Sequence, residues 1–489
     1  MTDSAASAAV GTASRVQHRL EPDAIGVAQD TVIGMANAAP TVSIGITMAA
    51  LALDAAYGGG IIILLTAIPM IIIANSYRRL NLWNANCGAS FEWVGRAINP
   101  YLGFMTGWLM LVGSIVGTLS AVIVLGPSVV TVFGSNSTSK WQYVGIASVV
   151  VLVMLVVAIV GIKITARTQV SIAVIEYVIL VGFAVAGIVF VLGHHHGTYP
   201  ITKSWFSLKG IGGQGALATS FLAAVFMFTG WEGTVYVNEE VKHRRKNPGR
   251  AAMIAVAVIA ILLAVSQFGL QGTVSPKNLQ ANGASALVYT ASAIGGSGWA
   301  KVMALALALS VVACTGTGIV IEARMIYGMA SHRVLPPFLG NVSRRFSTPV
   351  AASIVVGLVL LVMAWVYLLS TSVANVFGDI IAIVGLLYIA FYVLTAFAAI
   401  AYYRRRIFSN VRDFLFVLLL PVAACAFLVW VVVKVLQTAP AQQVWSIIGV
   451  VGLGVILMLS ARFIQRSPFF QIPLESDTNE VREARHASA

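Results

Sequence analysis

The sequence predicts an all-α membrane protein with twelve transmembrane helices. Hydrophobic residues make up 59% of the 489-residue chain and charged residues only 10%, which is too few to solvate a water-soluble protein of this size. The apolar runs repeatedly reach about 20 residues, the length of a helix that spans the hydrocarbon core. Alternating runs of about ten residues, which transmembrane β-strands require, do not occur in the sequence.

The expected spans form one transmembrane domain, residues 30–464, between two polar tails. The tail at 1–29 is rich in Ala and Ser and is expected to be disordered, and it lacks the apolar core of a cleavable signal peptide. Residues 465–489 form the second tail. The spans are expected at about residues 30–55, 59–75, 101–124, 141–160, 169–192, 216–237, 251–270, 301–321, 350–369, 376–399, 414–433 and 444–459.

Two of these spans are interrupted. The first carries Pro40, which removes a backbone donor, among the polar residues Asn37, Thr41 and Ser43. The sixth carries Gly-Trp-Glu-Gly at 230–233. Backbone groups freed inside a membrane persist only where protein or a water-filled cavity receives them, so the two breaks indicate a ligand site. An ordinary proline kink is the alternative for the first break.

The spacing of the breaks predicts an internal repeat. Five spans separate the starts of the two broken helices, as in transporters built from two five-helix units of opposite membrane orientation. We expect a 5+5 inverted repeat, with the first unit at 30–192 and the second at 216–401. Two peripheral helices would follow at 412–464.

The distribution of charge predicts the orientation. The net charge of +13 does not indicate nucleic-acid binding, because the basic residues concentrate in every second connecting loop. Cytoplasmic loops carry an excess of Lys and Arg, and twelve spans place both termini on one side. Both termini are therefore expected in the cytoplasm. The basic loops contain Arg78, Arg79, Arg96, Lys163, Arg167, Lys242, Arg244, Arg245, Lys246, Arg250, Arg333, Arg344, Arg345, Arg404, Arg405, Arg406 and Arg412.

Three separated motifs follow one another along the chain. They are CGASFEWV at 87–94 with YLGFMTGW at 101–108, FTGWEG at 228–233 with NEEVK at 238–242 and Asn247-Pro248, and EARMIYGMA at 322–330 with Leu335-Pro336 and Thr348-Pro349. In this order they resemble the entry to the third helix, the sixth helix and the end of the eighth helix of the amino acid–polyamine–organocation superfamily of transporters. The resemblance covers most of the chain.

This resemblance implies a central substrate pocket between the breaks of helices 1 and 6, with helices 3, 8 and 10 around it. Members of the superfamily move amino acids or amines by alternating access, and many are coupled to protons or exchange one solute for another. The substrate contacts are then expected at Asn37, Ala38, Ala39, Pro40, Thr41, Ser43, Phe228, Gly230, Trp231, Glu232 and Gly233.

The chain departs from the superfamily at one point. Members that bind an amino-acid carboxylate usually have a Gly-Ser-Gly-like break in helix 1, whose amides receive the anion. The corresponding place here holds Pro40-Thr41-Val42. Because proline offers no amide and valine adds bulk, carboxylate binding is not carried over to these positions.

Three acidic residues fall inside apolar runs, where an ionisable group costs about 2.5–3.5 kcal/mol and has a function or a partner. Glu232 is expected to contact a substrate amine, to bind a proton, or both; some members of the superfamily couple protonation to transport there. The alternative is that it caps freed backbone. Glu176 is expected to be a proton or cation site, or the partner of a polar group on helix 1 or 8. Glu322 and Arg324, two residues apart, do not face each other on a helix, so each is expected to pair elsewhere.

The remaining candidate residues concern ions and gating. Thr315 and Thr317 offer hydroxyl oxygens for a cation such as sodium. The candidate cytoplasmic gate consists of Glu239, Glu240, Lys242 and Arg324, with a solvated interfacial surface as the alternative for the glutamates. Trp231 is expected either to shield the pocket and stack on a cation or to pack against lipid.

The sequence therefore predicts a secondary active transporter in the cytoplasmic membrane of a bacterium. It would import an amino acid or related organic amine, with protons as the coupling ion; a polyamine or cationic-amine transporter or exchanger is the alternative. A membrane sensor or a channel is the hypothesis from another class. No nucleotide-binding or hydrolase motif occurs, so no enzyme activity is predicted. No cofactor and no metal site are predicted.

Overall fold

The computed structural model describes residues 19–135, 139–193, 195, 197–209, 211–370 and 373–477. In the last of these ranges, side chains are described from residue 379 onward. Within these residues, eleven helices are long and apolar enough to cross a membrane, and no strand longer than a single bridge occurs. The predicted class, an all-helical protein with many membrane spans, is confirmed. The twelve-helix inverted repeat stays a prediction.

The helices follow the chain with short connections. They are α1 (Val27–Ala38), α2 (Pro40–Asp54), α3 (Gly59–Trp83), α4 (Ser90–Ala97), α5 (Pro100–Val132), α6 (Lys140–Val160), α7 (Ile162–Leu192), α8 (Gly213–Phe228), α9 (Gly233–Tyr236), α10 (Asn247–Leu270), α11 (Pro276–Asn282), α12 (Ala286–Ser331), α13 (Val350–Ser370), α14 (Val373–Tyr403), α15 (Val411–Asp413), α16 (Leu420–Thr438) and α17 (Ala441–Leu459). Several helices are longer than the expected spans, α12 most of all. It changes direction at Gly295 and Gly296, which leave helical geometry.

The helices sort into a buried centre and an apolar exterior. The central helix α5 packs along α12 and α14, and α10 packs along α3. The outer helices α6, α7, α13 and α17 expose apolar side chains, for example Val178 at 68% and Val362 at 62%. Such a belt of exposed apolar residues around a buried centre is expected of a protein surrounded by lipid.

The boundary of the first tail needs correction. The expectation of disorder at 1–29 falls mainly on residues 1–18, which lie outside the described residues. Beyond them, Leu20 and Ile25 are buried, and α1 begins at Val27 rather than at Asp30. Ile25 pairs with the chain after the sixth span, since its N–H donates to Glu240 O and its carbonyl accepts from Lys242 N. This bridge connects the start of α1 to the end of the broken sixth helix.

The described part of the second tail crosses the end of the bundle that carries the basic loops, which we call the basic face. This segment, residues 467–477, is named the strap. Phe469 is fully buried and stacks on Phe91 of α4 at 4.1 Å between ring centroids. Glu475 binds Arg96 at 2.9 Å and accepts a hydrogen bond from Trp83. Residues 478–489 lie outside the described residues.

Candidate functional site

The first helix breaks at one residue. Ala39 adopts a left-handed conformation, with φ of 45°, between α1 and α2. Its N–H still reaches Met35 O, and Ser43 Oγ donates to Ala38 O at 2.8 Å, so the interruption is closed locally. Pro40 becomes the first residue of α2, where its missing N–H costs least. The helix is therefore interrupted at Ala39 alone, over a shorter stretch than the polar residues around Pro40 suggest.

The sixth helix breaks over four residues, between the end of α8 and the start of α9. Gly230 has φ of +112°, a conformation that favours glycine, and a Cβ there would lie 2.6 Å from Ala38 N. The side chain of Asn37 donates to Gly230 O at 3.2 Å and thereby joins the two breaks. The backbone of the two interrupted helices is consequently in direct contact.

A small cavity lies between the breaks and α5. Its volume is about 30 Å³, which is room for about two water molecules at about 10–15 Å³ each. An amino acid does not fit in this volume. The lining residues are Asn37, Ala38, Ala39, Val42, Ser43, Ser114, Gly117, Thr118, Ser120, Ala121, Phe226, Thr229, Gly230, Cys314 and Tyr388.

The aliphatic hydroxyls of this lining already donate hydrogen bonds to other groups of the protein. Ser43 and Thr229 donate to backbone carbonyls of their own break, and Ser120 donates to Gly117 O. Ser114 and Thr118 donate to a carboxylate. A hydroxyl that has donated its proton offers only lone pairs to a ligand. The cavity wall is therefore rich in acceptors.

Glu322 is the carboxylate that receives the hydroxyls of Ser114 and Thr118, each at 2.9 Å. It is fully buried, and its second oxygen has no hydrogen-bond partner among the described residues. Its neighbour Arg324 points elsewhere and binds Glu240. The sequence-based expectation that Glu322 and Arg324 pair separately agrees with these contacts.

Glu232 and Glu176 hold backbone amides at the breaks. Glu232 Oε2 accepts from Gly230 N at 3.1 Å and from the Tyr392 hydroxyl at 2.7 Å. Glu176 Oε1 accepts from Thr41 N, at the start of α2, at 3.4 Å. Both glutamates are buried, and both occupy the position of an anion at a helix N-terminus or a freed amide. Neither lines the cavity.

The predicted contact residues divide accordingly. Asn37, Ala38, Ala39, Ser43 and Gly230 line the cavity. The other six are not among its lining residues: Pro40, Thr41, Phe228, Trp231, Glu232 and Gly233. The structure does not bring these six to the cavity surface.

Trp231 is fully buried, so the alternative that it packs against lipid is wrong. Its ring stacks on Tyr392 at 5.6 Å and meets the edge of Tyr77 at 5.1 Å. The cation-site candidates Thr315 and Thr317 are buried on α12, and their hydroxyls donate to carbonyls of their own helix.

The gate candidates form a buried contact on the basic face. Arg324 donates to both carboxylate oxygens of Glu240, at 2.8 and 3.1 Å, and both side chains are buried. Glu239 accepts from Cys87 N, and burial raises the pKa of its carboxyl. The solvated alternative is therefore wrong for Glu240. Lys242 has an exposed side chain and joins the region only through its backbone.

A second charge cluster supports this face. Glu92 of α4 binds Arg96 at 3.0 Å and lies 2.6 Å from His332 Nε2. Although burial opposes ionisation, these two neighbours hold the pKa of Glu92 below its usual value. The cluster joins α4 to the end of α12.

Sequence reasoning missed several polar residues of the site. Ser114 and Thr118 went unnoticed, although polar residues four apart in an apolar helix share a face and signal a helix contact. Asp30 was read only as a span boundary. It is fully buried, and neither carboxylate oxygen has a hydrogen-bond partner in the described part of the chain. Among the described residues, no group of three metal-binding side chains occurs.

The comparison with protein families decides the classification. A family model described as amino acid permease matches residues 29–459. The chain belongs to the amino acid permease family. Its place in the amino acid–polyamine–organocation superfamily, predicted from three motifs, is thereby confirmed.

Curated relatives of this permease include animal transporters. It is 30% identical to the Asc-type amino acid transporter 1 of Mus musculus over 141 residues, which are 29% of this chain and 26% of that protein. It is 29% identical to the human protein of the same name, with 29% and 27% coverage. It is 26% identical over 138 residues to the large neutral amino acids transporter small subunit 2 of Mus musculus, with 28% and 26% coverage. The match spans about a quarter of the length of each relative.

Proposed function

We propose that this permease is a secondary active transporter that imports an amino acid or a related organic amine by alternating access. The observation that carries the proposal is the small cavity between two helix breaks that Asn37 joins. Transporters place substrate sites at such breaks, near the middle of the membrane. The family match and the amino acid transporters among the relatives agree with this substrate class.

The proposal includes the full architecture and its orientation. Eleven long apolar helices and the shorter α8 together make twelve spans. We propose that they form the 5+5 inverted repeat with two peripheral helices. The basic face lies in the cytoplasm, as the excess of Lys and Arg in its loops indicates. Both termini would then lie in the cytoplasm. The membrane would be the cytoplasmic membrane of a bacterium.

We propose that protons drive the import, with Glu232 and Glu176 as the coupling groups. Both are buried carboxylates that hold an amide of a helix break. Protonation removes the negative charge of such a carboxylate and weakens its hydrogen bond to the amide of the break, which links proton binding to the geometry of the cavity. The titratable side chains near Glu232 are Tyr77, Tyr236, Tyr388 and Tyr392.

Uptake into proteoliposomes tests the function and its coupling together. Saturable uptake of a radiolabelled amino acid or amine, with counterflow, would exclude a channel or a sensor. An imposed inward proton gradient should accelerate uptake in the native protein. Glu232→Gln keeps the shape of the side chain but cannot exchange a proton, so its uptake should lose the dependence on pH. An unchanged pH profile in Glu232→Gln would remove Glu232 from the coupling role.

A cationic-amine or polyamine transporter or exchanger is the second candidate function. It is favoured by the acceptor-rich cavity wall and by the glutamates that already occupy Thr41 N and Gly230 N. Competition for uptake between a neutral amino acid, a basic amino acid and a diamine distinguishes the two candidates. A diamine that neither competes nor is carried would eliminate the second.

A further inference from the structure

Helix α12 presents one carboxylate, Glu322, to two hydroxyl groups of α5. Ser114 and Thr118 stand four residues apart on α5, so their hydroxyls reach Glu322 of α12 from the same side. Gly318, one turn before Glu322, permits this close approach, because a Cβ there would lie 2.4 Å from Thr118 Oγ1. Ser114 and Thr118 are also lining residues of the cavity, whereas Glu322 is not. The contact therefore connects a charged group to the cavity surface.

Glu322 has no cationic partner in the described part of the chain. Its two hydrogen bonds use one oxygen, and the other oxygen is buried without a partner. The nearest basic residue along α12, Arg324, is committed to Glu240 through two hydrogen bonds. A buried carboxylate without a counter-charge is costly, and a cation that pairs with it repays that cost. A positively charged solute in the adjacent cavity supplies such a cation.

The hydrogen-bond acceptors of the cavity wall also favour a cationic amine. Lone pairs of Ser114, Thr118 and the other lining hydroxyls accept hydrogen bonds, and an ammonium group offers three N–H donors. The amides that would receive a carboxylate are occupied instead, Thr41 N by Glu176 and Gly230 N by Glu232. The cavity is thus suited to an ammonium group and offers neither of these two amides to an anion.

We propose that Ser114, Thr118 and Glu322 form an ammonium subsite, and that the transported solute is an organic amine whose binding does not require a carboxylate. This inference rests on the proposed transport function and specifies its substrate class. It assigns the charge that pairs with the amine to Glu322, which acts through the lining residues Ser114 and Thr118, and leaves proton coupling to Glu232 and Glu176.

Transport kinetics of the full-length chain in proteoliposomes test the subsite. The probes are 1,4-diaminobutane, ornithine and alanine. The native protein should carry the diamine with saturation. Glu322→Gln keeps an acceptor for the two hydroxyls but loses the charge, so the apparent KM for the diamine should rise about tenfold or more. The maximal rate should change less, and Glu322→Asp should recover part of the affinity.

Matched variants separate the subsite from a general loss of folding. Glu21→Gln removes an exposed carboxylate that pairs with Lys163 and should leave the KM unchanged. Ser114→Ala and Thr118→Val each remove one hydroxyl and should raise the KM about two- to tenfold. Thermal unfolding with and without the diamine is a second measurement. The diamine should raise the Tm of the native protein and of Glu21→Gln, and raise it much less in Glu322→Gln.

The outcomes distinguish this inference from the function on which it rests. An unchanged KM and an unchanged diamine-induced Tm shift in Glu322→Gln, Ser114→Ala and Thr118→Val would overturn the subsite while leaving transport intact. Saturable uptake of alanine with no uptake or competition by the diamine would also overturn it. If the native protein carries none of the three solutes and none of them raises its Tm, the transport proposal fails and the subsite fails with it.

Discussion

Arg324 and Glu240 form the most completely buried ion pair among the described residues. Two hydrogen bonds join them, and the side chains are 0% and 1% exposed. The pair connects α12 to the chain that follows the sixth span, on the basic face. Because desolvation of both charges opposes the Coulomb attraction, the pair specifies a geometry more than it adds stability.

Removing one partner of this pair should be strongly destabilising. Arg324→Met leaves Glu240 charged and buried, and we expect a loss of about 3–5 kcal/mol in the free energy of unfolding. The double variant Arg324→Met/Glu240→Gln should recover part of that loss, because no buried charge remains unpaired. Denaturant unfolding in detergent measures both. If the loss in the double variant equals the sum of the losses in Arg324→Met and Glu240→Gln, the two side chains do not interact.

The contacts of individual polar residues were only partly predictable from the sequence. The membrane cost of a charge marks Glu176, Glu232 and Glu322 as residues that need partners. It does not name those partners, since Glu322 meets Ser114 across a separation of 208 residues. Only the packing of α5 against α12 brings them together.

The two broken helices differ in how they interrupt. The first uses one left-handed alanine followed by a proline, and the sixth uses a four-residue turn, 229–232, in which Gly230 has a positive φ. Both breaks were predictable, because proline and glycine have local backbone effects. Their exact form was not, since it depends on the contact of Gly230 with the backbone of Ala38. That contact explains why the two interruptions lie side by side.

Gly230→Ala should therefore damage the site. Alanine at φ of +112° is strained, at a cost of about 1–3 kcal/mol, and its Cβ would collide with backbone rather than with a movable side chain. We expect a lower Tm and severely reduced uptake. Gly449→Ala on α17 is the control, because a Cβ there meets nothing within 4 Å. Native uptake by Gly230→Ala would contradict the close approach of the two breaks.

On the scale of the whole molecule, the strap joins helices that are distant in sequence. Ser467 donates to the carbonyl of His332 at the end of α12, and Asp477 binds Arg406 beyond α14. Glu475 adds contacts to α3 and α4. Composition alone marked this segment as a polar tail, since one Phe-Phe pair is too short to indicate a packed element. Its order depends on the surface that the folded bundle presents.

Phe469→Ala tests how strongly the strap is held. The ring is fully buried against Phe91, and a Cβ on Gly95 would lie 2.5 Å from it. Truncation of such a buried ring should cost about 3–5 kcal/mol of local stability. Hydrogen exchange of residues 467–477 should rise accordingly. Phe463→Ala, at a side chain that is 69% exposed, is the control. Unaltered exchange of the strap in Phe469→Ala would show that this ring does not anchor it.

The bridge between Ile25 and Val241 restricts how the transporter can move. It joins the start of α1 to the chain that follows α9, while the side chain of Asn37 joins the two helix breaks through Gly230. Two attachment points along a common axis leave little freedom for either helix to swing alone. Under the proposed alternating access, we therefore expect the two helices to move together as one unit relative to α5 and α12.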